Sequence, residues 1–137
     1  MNITLACVIA LVNVGISDQT TEQLGRTWAA IYGVESSYRL QPPDGDHGKA
    51  VGPLQIQMCV LVDVNKRYGT HYTSQDRRDL SRSVELFVRY ALMYEPKGNP
   101  EVWARLWNAG PRWQRKRNKC QEYWRRVQRE LESQIGD

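Results

Sequence analysis

Glu35 falls where an apolar side chain is expected. Leu24, Trp28 and Ile31 share one helical stripe, and Glu35 lies four residues beyond Ile31 on that stripe. A carboxyl on a core-facing stripe loses hydration, which disfavours its charged form and raises its pKa. That is the property of a general acid working near neutrality. The plainer reading is a Glu paired with a basic side chain near a helix end. The loop Asp44-Gly45-Asp46-His47-Gly48 supplies a second carboxylate nine or eleven residues later. Two carboxylates in unlike surroundings are the minimum apparatus for hydrolysing a glycosidic bond. The same loop also reads as an ordinary glycine-rich turn. Its Asp-x-Asp start looks like a calcium loop, but the twelfth position from Asp44 is Gln55, not the bidentate Glu such a loop needs. Cys7, Cys59 and Cys120 form no CxxC pair, and His47 and His71 are the only histidines. Neither a metal site nor a cofactor is expected.

These residues need elements to position them. Thr20-Thr21-Glu22-Gln23 reads as a capping box, opening a helix that should run to about Ser36. Pro42, Pro43, Gly45, Gly48 and Gly52 make the stretch after it a loop or small hairpin. A second helix is expected near Gln57–Tyr68, stopped by Gly69. Leu80, Val84, Phe87, Val88 and Ala91 have helical spacing and should end before Pro96. Asn99-Pro100 forms an N-cap and first-turn pair for a short helix through Trp107, closed by Gly110-Pro111. A last helix carries Cys120, Tyr123, Trp124, Val127 and Leu131 on one face. Trp28, Trp103 and Trp124 fall on apolar stripes and read as core, whereas Tyr38, Trp107 and Trp113 remain as aromatic surfaces on which a ligand could stack. The fold class is α+β, mostly α: one domain over 18–137 with a small irregular or β region at about 38–57.

With 137 residues, of which 41% are hydrophobic and 25% charged, the chain can bury a core and is not a disordered polymer. Net charge is +4, but residues 105–129 hold nine Lys/Arg against the single acid Glu122. Such a window suits a polyanionic partner, or is simply a solvated helix face. Ile3–Ile16 is apolar except for Thr4, Asn13 and Gly15. It is short for a membrane span and matches the apolar core of an export signal, although no Lys or Arg precedes it. The alternatives for 1–17 are a signal or anchor and a buried helix. Membrane contact is expected only if 3–16 is an anchor.

Four segments in order carry a family resemblance. They are Val34-Glu35-Ser36-Ser37, then Gly48-Lys49-Ala50-Val51-Gly52-Pro53-Leu54-Gln55-Ile56, then Trp103-Ala104-Arg105-Leu106-Trp107-Asn108-Ala109-Gly110-Pro111, and then Tyr123-Trp124-Arg125-Arg126-Val127-Gln128. Over about residues 24–131 the chain resembles the lysozyme-like superfamily. The closest likeness is to invertebrate-type (destabilase-like) lysozymes and their bacterial relatives, and more distantly to soluble lytic transglycosylases. Trp107 stands where the invertebrate-type motif has His, Ala109 stands for a Gly, and the dense cysteine framework of the animal proteins is missing.

The resemblance implies a peptidoglycan muramidase. Glu35 would be the general acid and Asp46 its partner, with Asp44 a competitor for that role. Ser37, Gln55, Trp107 and Asn108 would bind the glycan. It implies a monomer acting outside the cytoplasm or secreted, on peptidoglycan glycan strands, with no specific nucleic acid. A lytic transglycosylase using Glu35 alone is the first alternative. A non-catalytic wall- or polyanion-binding module is the second.

Overall fold

The computed structural model describes residues 15–135. The apolar segment expected to be a signal, an anchor or a buried helix lies almost wholly outside them. Helix makes up 71% of the structure. Its helices are α1 (Asp18–Ser36), α2 (Met58–Tyr68), α3 (Leu80–Tyr94), α4 (Pro100–Ala109) and α5 (Arg117–Ile135), with short 3-10 turns at Asp46–Gly48, Ser74–Arg78 and Trp113–Lys116.

The caps explain most boundaries. Helix α1 starts a little earlier than the Thr20 box predicts. Ser17 is its N-cap, and the Ser17 hydroxyl accepts from the Thr20 N–H at 3.1 Å. Thr20 therefore sits inside the first turn, where its Oγ1 accepts from Ser17 at 3.0 Å. At the other end Ser37 adopts the left-handed conformation (φ 53°) and donates its N–H to Gly33 O. Gly69 ends α2 with φ 66°, as expected. The Asp79 side chain caps α3 through the Arg82 N–H, and Asn99 caps α4 through the Val102 N–H.

Helix α3 is the central element. Every residue from Ser83 to Leu92 is buried. The two charged residues of that stretch are compensated: Glu85 accepts from Tyr72 Oη at 2.7 Å, and Arg89 donates to the same hydroxyl at 3.0 Å. Helix α1 packs on α4 and α5, while α2 packs on α3. Apolar side chains from all five helices form one contiguous cluster, with Trp103, Phe87 and Tyr90 its largest fully enclosed members. Trp28 and Trp103 are core, as their stripes predict, and Trp124 is packed against it. Among the described residues no helix is long and apolar enough to cross a membrane.

The β part of the expectation shrinks to two isolated antiparallel bridges, Gly45 with Ala50 and Val51 with Ile56. Left-handed φ values at Asp46, His47, Gly48, Gly52 and Gln55 turn the chain too sharply for a ladder to extend. The region is two consecutive tight turns, and they form one wall of a cleft.

Candidate active site

A cleft of about 740 Å³ opens between the C-terminal end of α1, the double-turn loop, and the junction of α4 with α5. Its size is that of a small-ligand site. Glu35, Asp46, Gln55, Trp107 and Asn108 all line it. Five side chains spread over 74 residues of sequence thus converge on one space, although only their local patterns are legible in the chain.

Glu35 is partly buried at the last turn of α1. Burial pushes its carboxyl up to about 7, against the downward pull of a hydrogen bond from Tyr123 and of the nearby Arg126 charge. Tyr123 Oη donates to Glu35 Oε2 at 2.9 Å. The Tyr123 hydroxyl is itself held neutral: burial and the facing carboxyl raise its pKa well above the ordinary value. Glu35 therefore keeps a proton near neutrality and is oriented by a neighbour that does not compete for it.

The two candidate aspartates part company. Asp44 forms a two-pronged pair with Arg78 at 3.0 and 3.2 Å, and the Arg78 hydrogen bonds lower its pKa. It does not line the cleft. Asp46 does, exposed at the first residue of its 3-10 turn, with Oδ2 accepting from Gln57 Nε2 at 3.0 Å. Both Asp46 (φ 49°) and Gln55 (φ 51°) sit in the left-handed region without being glycine. Such conformations cost on the order of 1 kcal/mol or more and persist only where the surroundings enforce them.

Arg77 fastens the loop that carries them, and it is a residue the sequence reading missed. Its buried guanidinium donates to Ile56 O at 2.9 Å and Lys49 O at 3.2 Å, and back to Ser74 O and Oγ. Among the described residues no carboxylate pairs with it directly; backbone carbonyls of the loop accept its hydrogen bonds. Gly52 passes so close that an added Cβ would lie 1.7 Å from Arg77 O. Gln55 is also a loop fastener, since its Nε2 donates to Gly52 O and Pro43 O. Tyr123 was expected only as a member of the α5 apolar face, and nothing in its spacing reveals that its hydroxyl reaches α1.

Ser37 is exposed at the α1 C-cap and does not line the cleft. Tyr38 turns away from it, donating to Glu130 Oε2 at 2.6 Å. Trp113 packs near Arg105 instead. Trp107 does line the cleft, fixed by its indole N–H to Leu54 O at 3.1 Å and by edge contacts with Phe87 and Tyr90. Asn108 is exposed beside it. Gln57, Tyr90, Arg112, Lys116 and Lys119 are among the other lining residues, in ways the sequence did not single out. Among the described residues, no three His, Cys, Asp or Glu side chains converge where they could hold a metal ion. Comparison with protein-family models, curated proteins and solved structures finds no match for the chain.

Proposed function

We propose that the chain is a lysozyme-like muramidase that cleaves the β-1,4 bond between N-acetylmuramic acid and N-acetylglucosamine in peptidoglycan. The observation that carries this reading is Glu35, a carboxyl with a pKa of about 7 at the wall of a cleft that also contains Asp46. A protonated Glu35 gives its proton to the leaving glycosidic oxygen as the bond breaks. Asp46, across the loop, stabilises the oxocarbenium-like centre, attacks it, or activates a water. Trp107 offers an aromatic surface to a pyranose ring, and Asn108 offers an amide to its acetamido or hydroxyl groups. No cofactor enters this chemistry. The proposed substrate implies action outside the cytoplasm.

Product analysis tests the reading. Digestion of purified peptidoglycan should release fragments that end in ordinary reducing N-acetylmuramic acid, one water heavier than anhydro-muramyl ends. Asp46→Asn should slow the reaction strongly, and Asp44→Asn should not. Anhydro ends together with an indifferent Asp46→Asn would identify a transglycosylase that uses Glu35 alone. Wall binding without any cleavage would leave only a binding module.

A further inference from the structure

Three cations line the same cleft as Glu35 and Asp46. Arg112 follows the Gly110-Pro111 turn, Lys116 ends the last 3-10 turn, and Lys119 lies in the first turn of α5. Five arginines elsewhere do pair with acids: Arg26 with Glu22, Arg78 with Asp44, Arg82 with Glu85, Arg105 with Glu101, and Arg125 with Glu122. Among the described residues none of the three cleft cations makes such a pair, and the first turn of α5 contains no acid to neutralise them. Lys119 is four residues before Tyr123, one turn away on the same helix face, and Tyr123 holds Glu35. Lys116 continues that row by three further residues. The three cations thus line the same cleft as the reacting carboxyl, on the side formed by the start of α5. Cations that line one side of a cleft favour an anionic group on the ligand.

We propose that Arg112, Lys116 and Lys119 form a carboxylate-binding rim of the cleft, which takes the acidic groups of the peptide branches on N-acetylmuramic acid. The inference rests on the glycan-cleaving reading and narrows its substrate. The site prefers strands that carry free acidic stems over amidated strands and over uncharged N-acetylglucosamine polymer. Apolar and amide surfaces near Glu35 hold the sugar, and the rim holds its branch.

Binding, not turnover, tests this, with the full chain carrying Glu35→Gln so that no ligand is cut. The probes are a tetrasaccharide of alternating N-acetylglucosamine and N-acetylmuramic acid with free peptide carboxylates, the same compound with those carboxylates amidated, and the N-acetylglucosamine tetramer. The free-acid compound should bind on the order of tenfold tighter than the amidated one, a sum of modest exposed charge contacts. Adding R112Q/K116Q/K119Q should erase that difference. R115Q/R117Q/R129Q, which removes the same charge away from the cleft, should keep most of it. If the free-acid and amidated compounds bind equally well to the protein with its rim intact, the rim proposal falls and the glycan reading stands. An equal loss from both triple variants also overturns it, because net charge alone then explains the preference. If none of the three saccharides binds, the glycan reading itself fails and the rim proposal with it.

Discussion

Glu35 stands at the balance of two opposed effects. Burial raises its pKa to about 7, while the Tyr123 hydroxyl and the Arg126 charge hold it from going higher. Tyr123→Phe removes a hydrogen bond to the carboxylate and leaves the burial. The alkaline limb of the rate profile should then move to higher pH, and a limb that stays or moves down would contradict the role given to Tyr123. The same balance carries a stability cost. An unfolded Glu titrates near 4.5, so between 4.5 and about 7 the folded chain binds more protons than the unfolded one. Stability from this group is therefore full below 4.5 and is lost as pH rises through about 7, to the extent of roughly 3 kcal/mol. Glu35→Gln keeps the acceptor for Tyr123 and removes the charge. It should unfold at higher urea concentration than the parent at pH 8 and at nearly the same concentration at pH 4. The position of Glu35 was legible because its neighbours on the stripe are unambiguous. Its partner was not, because Tyr123 meets it across 88 residues of chain through tertiary packing alone.

At the scale of elements, the loop that carries Asp46 and Gln55 depends on Arg77. Removing the guanidinium takes a charged donor from Ile56 O, which still accepts from the Val51 N–H, and from Lys49 O; a hydrogen bond from a charged group is worth about 1.5–3 kcal/mol. Arg77→Met should lower stability by about 2–4 kcal/mol in urea titrations and also depress cleavage, since the left-handed turns at Asp46 and Gln55 lose their support. Arg78→Ala, at an exposed pair, should change stability far less. Equal and small effects from both would mean that the loop holds itself. The helices were readable from local signals: Gly69, Asp79 with its following stripe, and Asn99-Pro100 each act within a few residues of the boundary they set. The loop was readable only as irregular. It is fastened by an arginine more than twenty residues downstream, and Arg77-Arg78-Asp79 looks in the sequence like any solvated polar run. The start of α1 was misplaced for a related reason. Ser17 and Thr20 both have cap chemistry, and the choice between them depends on where the helix begins to pack.

At the scale of the whole molecule, the basic C-terminal window is less uniform than its composition suggests. Arg105 is buried, pairs with Glu101 and donates to Gln121, so it contributes nothing to the outer field. Lys116 and Lys119 face the cleft, while Arg115, Arg117, Arg125 and Arg129 face solvent. Exposed charges act over about 8–10 Å at moderate salt. Retention on intact walls should therefore fall as salt rises, whereas the pH at which Glu35 titrates should shift little, because its environment is set by burial. Salt-independent wall retention would make the outer basic face an ordinary solvated surface.

The most direct test of the central claim is reducing-end release from purified peptidoglycan by the parent chain and by Glu35→Gln, with folding checked by urea titration. General acid catalysis is worth about 100-fold or more. The account predicts muramyl reducing ends from the parent, and a loss of at least that size in a folded Glu35→Gln protein. A folded Glu35→Gln protein that releases ends at the parent's rate would contradict it.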